Sequence, residues 1–261
     1  MGLPQASAVT VQPLLLAGTL LAAVVPLLVL RAAPHDIHLR ARMASLGGGV
    51  VLLALIWFSP LQTLAQHYLL SAHLLQITVL MGAVPPLLLL ALPRSPLHLP
   101  ALLGAPLRVL VHPLFAIIAV NAAFFGWHIT GPYVASMQSD TVDALQQLSL
   151  LAASLLFWWP ITAPMGTHRS MSHLATMGYI LLATIPQTFG GLAVALAHHV
   201  LYPPYAAAPR VTSLDPLTDQ QIAGACIALL SKIALFTAFT ILFLRLLGAE
   251  DAEGDEGGGG D

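Results

Sequence analysis

The sequence has 261 residues, of which 57% are hydrophobic and only 8% charged, with a mean hydropathy of +0.85. Soluble domains carry roughly 25% charged residues, so this chain lacks the polar surface to cover a water-soluble particle, and its solvent is lipid. A net charge of −2 with neutral histidines gives no basic footprint for nucleic acid, and the single cysteine, Cys226, excludes an internal disulfide or a Cys-pair metal motif.

A spanning helix needs about 20 mostly apolar residues. Seven segments qualify: 11–30, 45–64, 70–92, 109–126, 143–163, 174–197 and 221–247. Their length and the absence of period-2 alternation predict an all-α polytopic membrane protein rather than a barrel. Residues 1–10 contain no Lys or Arg, so 11–30 reads as a retained helix and not as a signal peptide. Proline falls inside several spans (Pro26, Pro60, Pro85, Pro86, Pro186), which lipid-embedded helices tolerate when neighbours satisfy the freed carbonyls. Arg31, Arg40, Arg42, Arg94, Arg108, Arg169 and Arg245 fall on one side of this layout, and only Arg210 falls on the other. The positive-inside rule then puts the N-terminus outside and the C-terminus in the cytoplasm. The expected organisation is a seven-helix transmembrane domain over 1–248 and a disordered, acidic, Gly-rich cytoplasmic tail over 249–261.

With that topology the outer side collects His67, His73, His128, His198, His199, Asp140, Asp143, Gln76, Gln147 and Met137, with almost no fixed positive charge. On the third span His73 and Gln76 share a face at i and i+3, which Ile77 and Met81 continue. Imidazole is the commonest protein metal ligand and a thioether suits Cu(I); a polar first turn facing water or headgroups is the alternative. Asp140, Asp143, Gln147 and Ser154 form a stripe on the fifth span. Asp140 there serves the helix dipole, while the deeper Asp143 offers a hard oxygen ligand or a proton acceptor. His198-His199 reads as a helix C-terminal dipole partner. Trp127, beside His128, and Trp158-Trp159-Pro160 read as interfacial anchors. Thr218 with Gln221 fits a capping box. Lys232, midway down the last span, must face the bundle interior, and Gln187 on the sixth span is the nearest partner the layout offers it, either as a structural hydrogen bond or as a transport site.

The nucleotide-binding loop, the His-Glu-x-x-His zinc motif and the Gly-x-Ser-x-Gly elbow are all missing. No catalytic group emerges, so no enzyme is expected, and no paired broken helices mark a transporter.

Several short stretches in a fixed order carry a family likeness. They are SAHLLQ followed by Pro85-Pro86 and a run to Pro93, then Gly126-Trp127-His128, Phe157-Trp158-Trp159-Pro160, Tyr202-Pro203-Pro204-Tyr205, and Leu217-Thr218-Asp219-Gln220-Gln221 with Gly224. Over most of 45–247 the chain resembles the CtaG-type assembly factors of caa-type cytochrome c oxidases. The resemblance implies a multi-pass protein of the cell membrane that works with terminal oxidase subunits to mature a haem-copper oxidase, with copper as the suspected cargo. For such a role the outer-face residues of this chain suggest a metal pocket, with His73, His128 and Asp143 as ligands and Gln76, Gln147, Met81 and His67 around them. The family pattern on the third helix resembles His-Met-x-Gln-His, whereas this chain has His73-Leu74-Leu75-Gln76-Ile77; the two His of the family's fifth helix align with Asp143 and Gln147. One imidazole of four is kept, so the metal role is weakened, moved to His128, or lost. Two other classes stay open, a small-solute or ion transporter using Lys232 and Gln187, and a metal-free accessory subunit of the oxidase.

Overall fold

A computed structural model describes residues 4–31, 37–94, 106, 109–162, 164 and 171–257. Arg108 and Arg169, two of the arginines used to orient the chain, lie outside the described residues. Among those described, the secondary structure is entirely helical. The helices are α1 (Pro13–Arg31), α2 (Leu39–Trp57), α3 (Pro60–His67), α4 (Leu70–Gly82), α5 (Val84–Leu90), α6 (Pro113–His128), α7 (Thr130–Gln138), α8 (Asp140–Thr162), α9 (His173–Ala195), α10 (Pro203–Ala207), α11 (Pro216–Ala228) and α12 (Ile233–Gly257). A 3-10 turn, Leu230–Lys232, joins the last two. Six stretches are long and apolar enough to cross a membrane: α1, α2, Leu70–Leu90, α8, α9 and Pro216–Gly248. Helices α6 and α7 pass the same test only as a pair, bent by 71°.

The expected spans 11–30, 70–92, 143–163 and 174–197 match the observed helices to within a few residues. The second does not. Residues 45–64 were expected as one helix, but α2 ends at Trp57 and α3 begins at Pro60. Proline has no N–H and fits the first turn of a helix, and Ser59 caps that turn by accepting the N–H of Leu61 at 3.2 Å. The break lets α3 fold back with Gln62, Thr63 and Gln66 buried. The capping box expected at Thr218 is also displaced. Asp215 is the N-cap, accepting the N–H groups of Leu217 and Thr218 at 3.0 and 3.1 Å, with Pro216 in the first turn. Helix α12 continues to Gly257, while 258–261 of the expected tail fall outside the described residues.

Helix α4 is central. The Leu70–Leu90 stretch is 56% buried and α8 50%, against 22–28% for α1, α2 and α9, so the helices bearing the polar stripes are the core rather than the lipid-facing ring. Pro85 ends α4 by withholding the N–H that the Met81 carbonyl would accept. Trp158 replaces it, its Nε1–H donating to Met81 O at 3.0 Å. Trp158 is therefore a buried core residue, not the interfacial anchor its sequence suggested. Helices α9 and α11 touch backbone to backbone: a Cβ on Gly224 would stand 2.3 Å from Ala195 N and 2.6 Å from Gly191 O. Small residues at such crossings allow close packing where lipid supplies no hydrophobic drive between helices.

Candidate functional site

Two polar assemblies meet at the end of α4 that carries His73. The first is a chain of buried amides. Trp57 Nε1–H donates to Gln147 Oε1 at 3.3 Å, and Gln147 Nε2 donates to Gln76 Oε1 at 3.1 Å. Gln76 Nε2 donates to Gln62 Oε1 and also to Ile56 O at 2.7 Å. Gln62 Nε2 then donates to Asp143 Oδ2 at 2.5 Å, and Gln12 Nε2 reaches the same oxygen at 2.9 Å. Apart from the branch to Ile56 O, each bond in the chain points toward the carboxylate. Gln62, Gln76 and Gln147 are fully buried and Asp143 is 3% exposed, a setting in which a half-satisfied network would be costly. Helix α8 supplies Asp143 and Gln147 one turn apart, α4 supplies Gln76, and the folded-back α3 supplies Gln62. Gln146, on the same helix, is fully buried with neither side-chain polar atom bonded among the described residues.

The second assembly is aromatic. His73 lies with its ring centroid 5.8 Å from His128 and 5.0 Å from Tyr133, and His128 and Tyr133 are 5.9 Å apart. The bend after α6 produces this cluster, because His128 ends α6 and α7 turns Tyr133 back toward it. His128 Nδ1 sits 2.6 Å from the carbonyl of Phe124. A carbonyl only accepts, so Nδ1 carries the proton and Nε2 of the neutral ring is a bare acceptor. His128 Nε2 and His73 Nε2 are both buried without a hydrogen-bond partner, an exception that calls for an explanation. Tyr133 donates to Tyr205 Oη at 2.7 Å, because Tyr205 gives its own O–H to Ala65 O at 2.5 Å. Burial raises the pKa of the Tyr202 and Tyr205 phenols outside the spans, which keeps them protonated donors. A cleft of about 500 Å³ between α6 and α9 opens beside His128, lined by Leu74, Phe124, Gly126, Gly190 and Tyr202 among others.

The structure thus unites His73 with His128, and separately Gln76, Gln147 and Asp143. Among the described residues no three His, Cys, Asp or Glu side chains form a metal-holding group. Asp143 Oδ2 is occupied by two amides. Met81 stands eight residues from His73, about 12 Å along the helix, and lines a cavity of about 30 Å³ with Ser154, Gln187 and Ser231. His67 is half-buried at the end of α3; burial lowers its pKa, partly offset by nearby Asp140. Lys232 Nζ donates to Ser231 Oγ at 2.7 Å rather than to Gln187. His198 and His199 lie beyond the end of α9 and are exposed. Gln12, Gln62 and Tyr133 were not singled out in the sequence. Gln62 and Gln66 do stand one turn apart, a visible polar stripe, but the stretch holding Tyr133 reads as a plain connection between spans.

The family model of the cytochrome c oxidase caa3 assembly factors matches residues 27–249. No curated protein and no solved structure matches the chain. With most of its length covered by that model, the chain belongs to the cytochrome c oxidase caa3 assembly factor family.

Proposed function

We propose that this protein assists maturation of a caa3-type oxidase by holding copper between His73 and His128 before it reaches the oxidase. The observation that carries this reading is the pair of buried, unpartnered Nε2 atoms on two rings 5.8 Å apart. Imidazole nitrogen suits copper, and a two-nitrogen set leaves coordination positions open, which suits cargo that has to be handed on. Asp143 ends the amide chain and orients the helices, so it is a positioning residue and not a ligand. Burial of His73 among Tyr133 and His128 limits access to the cleft beside His128, the route we assign to the cargo.

Counting the bent pair α6–α7 as one crossing gives seven spans, with the N-terminus outside, residues 249–261 as a cytoplasmic tail and the imidazole pair at the outer face. Arg42 supports this layout, since it donates to Leu90 O and Leu92 O at the opposite end of the α4–α5 stretch from His73. The protein is then a non-enzymatic chaperone of the cell membrane whose partners are oxidase subunits. Copper and haem content of the oxidase purified from cells carrying His73→Ala with His128→Ala tests the reading. Haem retained and copper depleted is the expected result; full copper loading would refute it.

A further inference from the structure

Lys232 is the only lysine in the sequence. It sits midway along the candidate spans by two measures. It lies in the middle of the Pro216–Gly248 stretch, and the carbonyl of its neighbour Ser231 lies 3.7 Å from a Cβ built on Gly82. Gly82 is twelve residues from Leu70 and eight from Leu90, about 18 and 12 Å along the helix. The 3-10 turn at Leu230–Lys232 presents this amine beside a cleft of about 390 Å³ between α9 and α12. The cleft is lined by Ile180, Leu181, Ile185, Phe189 and Phe236, with Thr184, Thr188 and Lys232 as its polar members. Both threonine hydroxyls are spent on their own helix, donating to Ile180 O and Thr184 O at 2.9 Å. The amine is therefore the polar group left to meet a ligand. Its hydrogen bond to Ser231 Oγ uses one of its three protons.

No Asp or Glu occurs at 37–139, 144–214 or 220–249. Asp143 and Asp219 lie near the far ends of their helices, with Asp219 bonded to the first turn of α4. The chain thus places a cation in the bilayer interior with no anion of its own at that depth, an arrangement that costs several kcal/mol unless it is paired or hydrated.

We propose that the α9–α12 cleft takes a transmembrane helix of a partner that carries a carboxylate at mid-membrane depth, with Lys232 as the ion-pair partner. A second copy of this chain lacks such a carboxylate. A lipid keeps its anionic headgroup at the interface, about 12 Å or more from this depth by the helix rise given above. An apolar helix fills the aromatic and branched walls, and one Asp or Glu on it completes the amine. That the partner is an oxidase subunit rests on the function proposed above; the preference for a carboxylate does not.

The test uses the full chain in phosphatidylcholine vesicles and fluorescent poly-leucine transmembrane peptides with a single central Glu or, as control, Gln. The Glu peptide should bind the wild-type protein at least ten-fold more tightly, and Lys232→Met should erase the difference while Lys232→Arg keeps it. Equal binding of the two peptides to the wild-type protein would overturn the proposal, and that comparison holds whatever a variant does to folding. A Glu preference that survives Lys232→Met would overturn it as well, as would a preference lost on adding phosphatidylglycerol, which would give the amine to a lipid. Copper loading of the oxidase is read in a separate experiment, so failure of the cargo reading leaves the peptide result standing.

Discussion

Leu70 and Asp219, 149 positions apart, are joined by a 2.8 Å hydrogen bond from the backbone N–H of the first to the carboxylate of the second. The other carboxylate oxygen accepts the N–H of Ser71 at 3.2 Å and the Ser71 hydroxyl. Helix α4 has no side-chain cap of its own at Leu69. Asp219 therefore caps, from across the bundle, the helix that carries His73 and Gln76, and does so with the charge that the helix dipole favours.

Asp219→Ala leaves those donors open. Charge-assisted hydrogen bonds contribute about 1.5–3 kcal/mol, so denaturant unfolding in mixed micelles should show a loss of that size, with Asp219→Asn losing less. An unfolding midpoint unchanged by Asp219→Ala would contradict the cap.

The amide chain predicts a separation of stability from metal holding. Asp143→Ala strands the Gln12 and Gln62 donors and should destabilise the fold by about 1–3 kcal/mol. Any copper retained at the imidazole pair should survive in the fraction that stays folded. Loss of copper from a fully stable Asp143→Ala protein would instead make Asp143 a ligand.

Trp158 and Pro85 should be energetically coupled. Trp158→Phe removes the indole donor on Met81 O, at about 1 kcal/mol. Pro85→Ala restores a backbone N–H for that carbonyl. In a double-mutant cycle the Trp158→Phe penalty should shrink once Pro85 is replaced; an unchanged penalty would show that the indole N–H is not standing in for the missing proline donor.

Two glycines should behave oppositely. Gly224→Ala drives a methyl into the α9 backbone, and overpacking of this kind costs about 1–3 kcal/mol or more. Gly126→Ala meets nothing within 4 Å and should change stability by less than about 1 kcal/mol. Equal effects in thermal unfolding would argue against the close α9–α11 crossing.

The bilayer made much of this architecture readable in advance. Long apolar runs can only be helices in lipid, so the helical stretches stood out, although the prolines at 85–86, read as tolerated inside one span, divide it into α4 and α5. The Ser59-Pro60 break was missed because apolar residues continue through it, and hydropathy averages over two residues that decide the chain's direction. That one break folds Gln62 onto Gln76, so the amide chain could not be assembled from a straight second helix. The site was half legible for a related reason. His73, His128, Asp143, Gln76 and Gln147 each stood out as polar groups in apolar surroundings, but their division into an imidazole pair and an amide chain depends on crossing geometry. Tyr133 carried no signal, since only the 71° bend at the end of α6 turns it toward the histidines. Asp219 looked like part of a local cap, and its true contact lies on another helix.

The most direct test of the account is Cu(I) binding to the purified full-length protein, measured by competition with a chromophoric chelator. Wild type and Asp143→Asn should each hold one Cu(I), and His73→Ala or His128→Ala should each lose it. Wild-type protein that takes no Cu(I), or a stoichiometry unaffected by both histidine substitutions, would contradict the claim that the paired imidazoles hold the cargo.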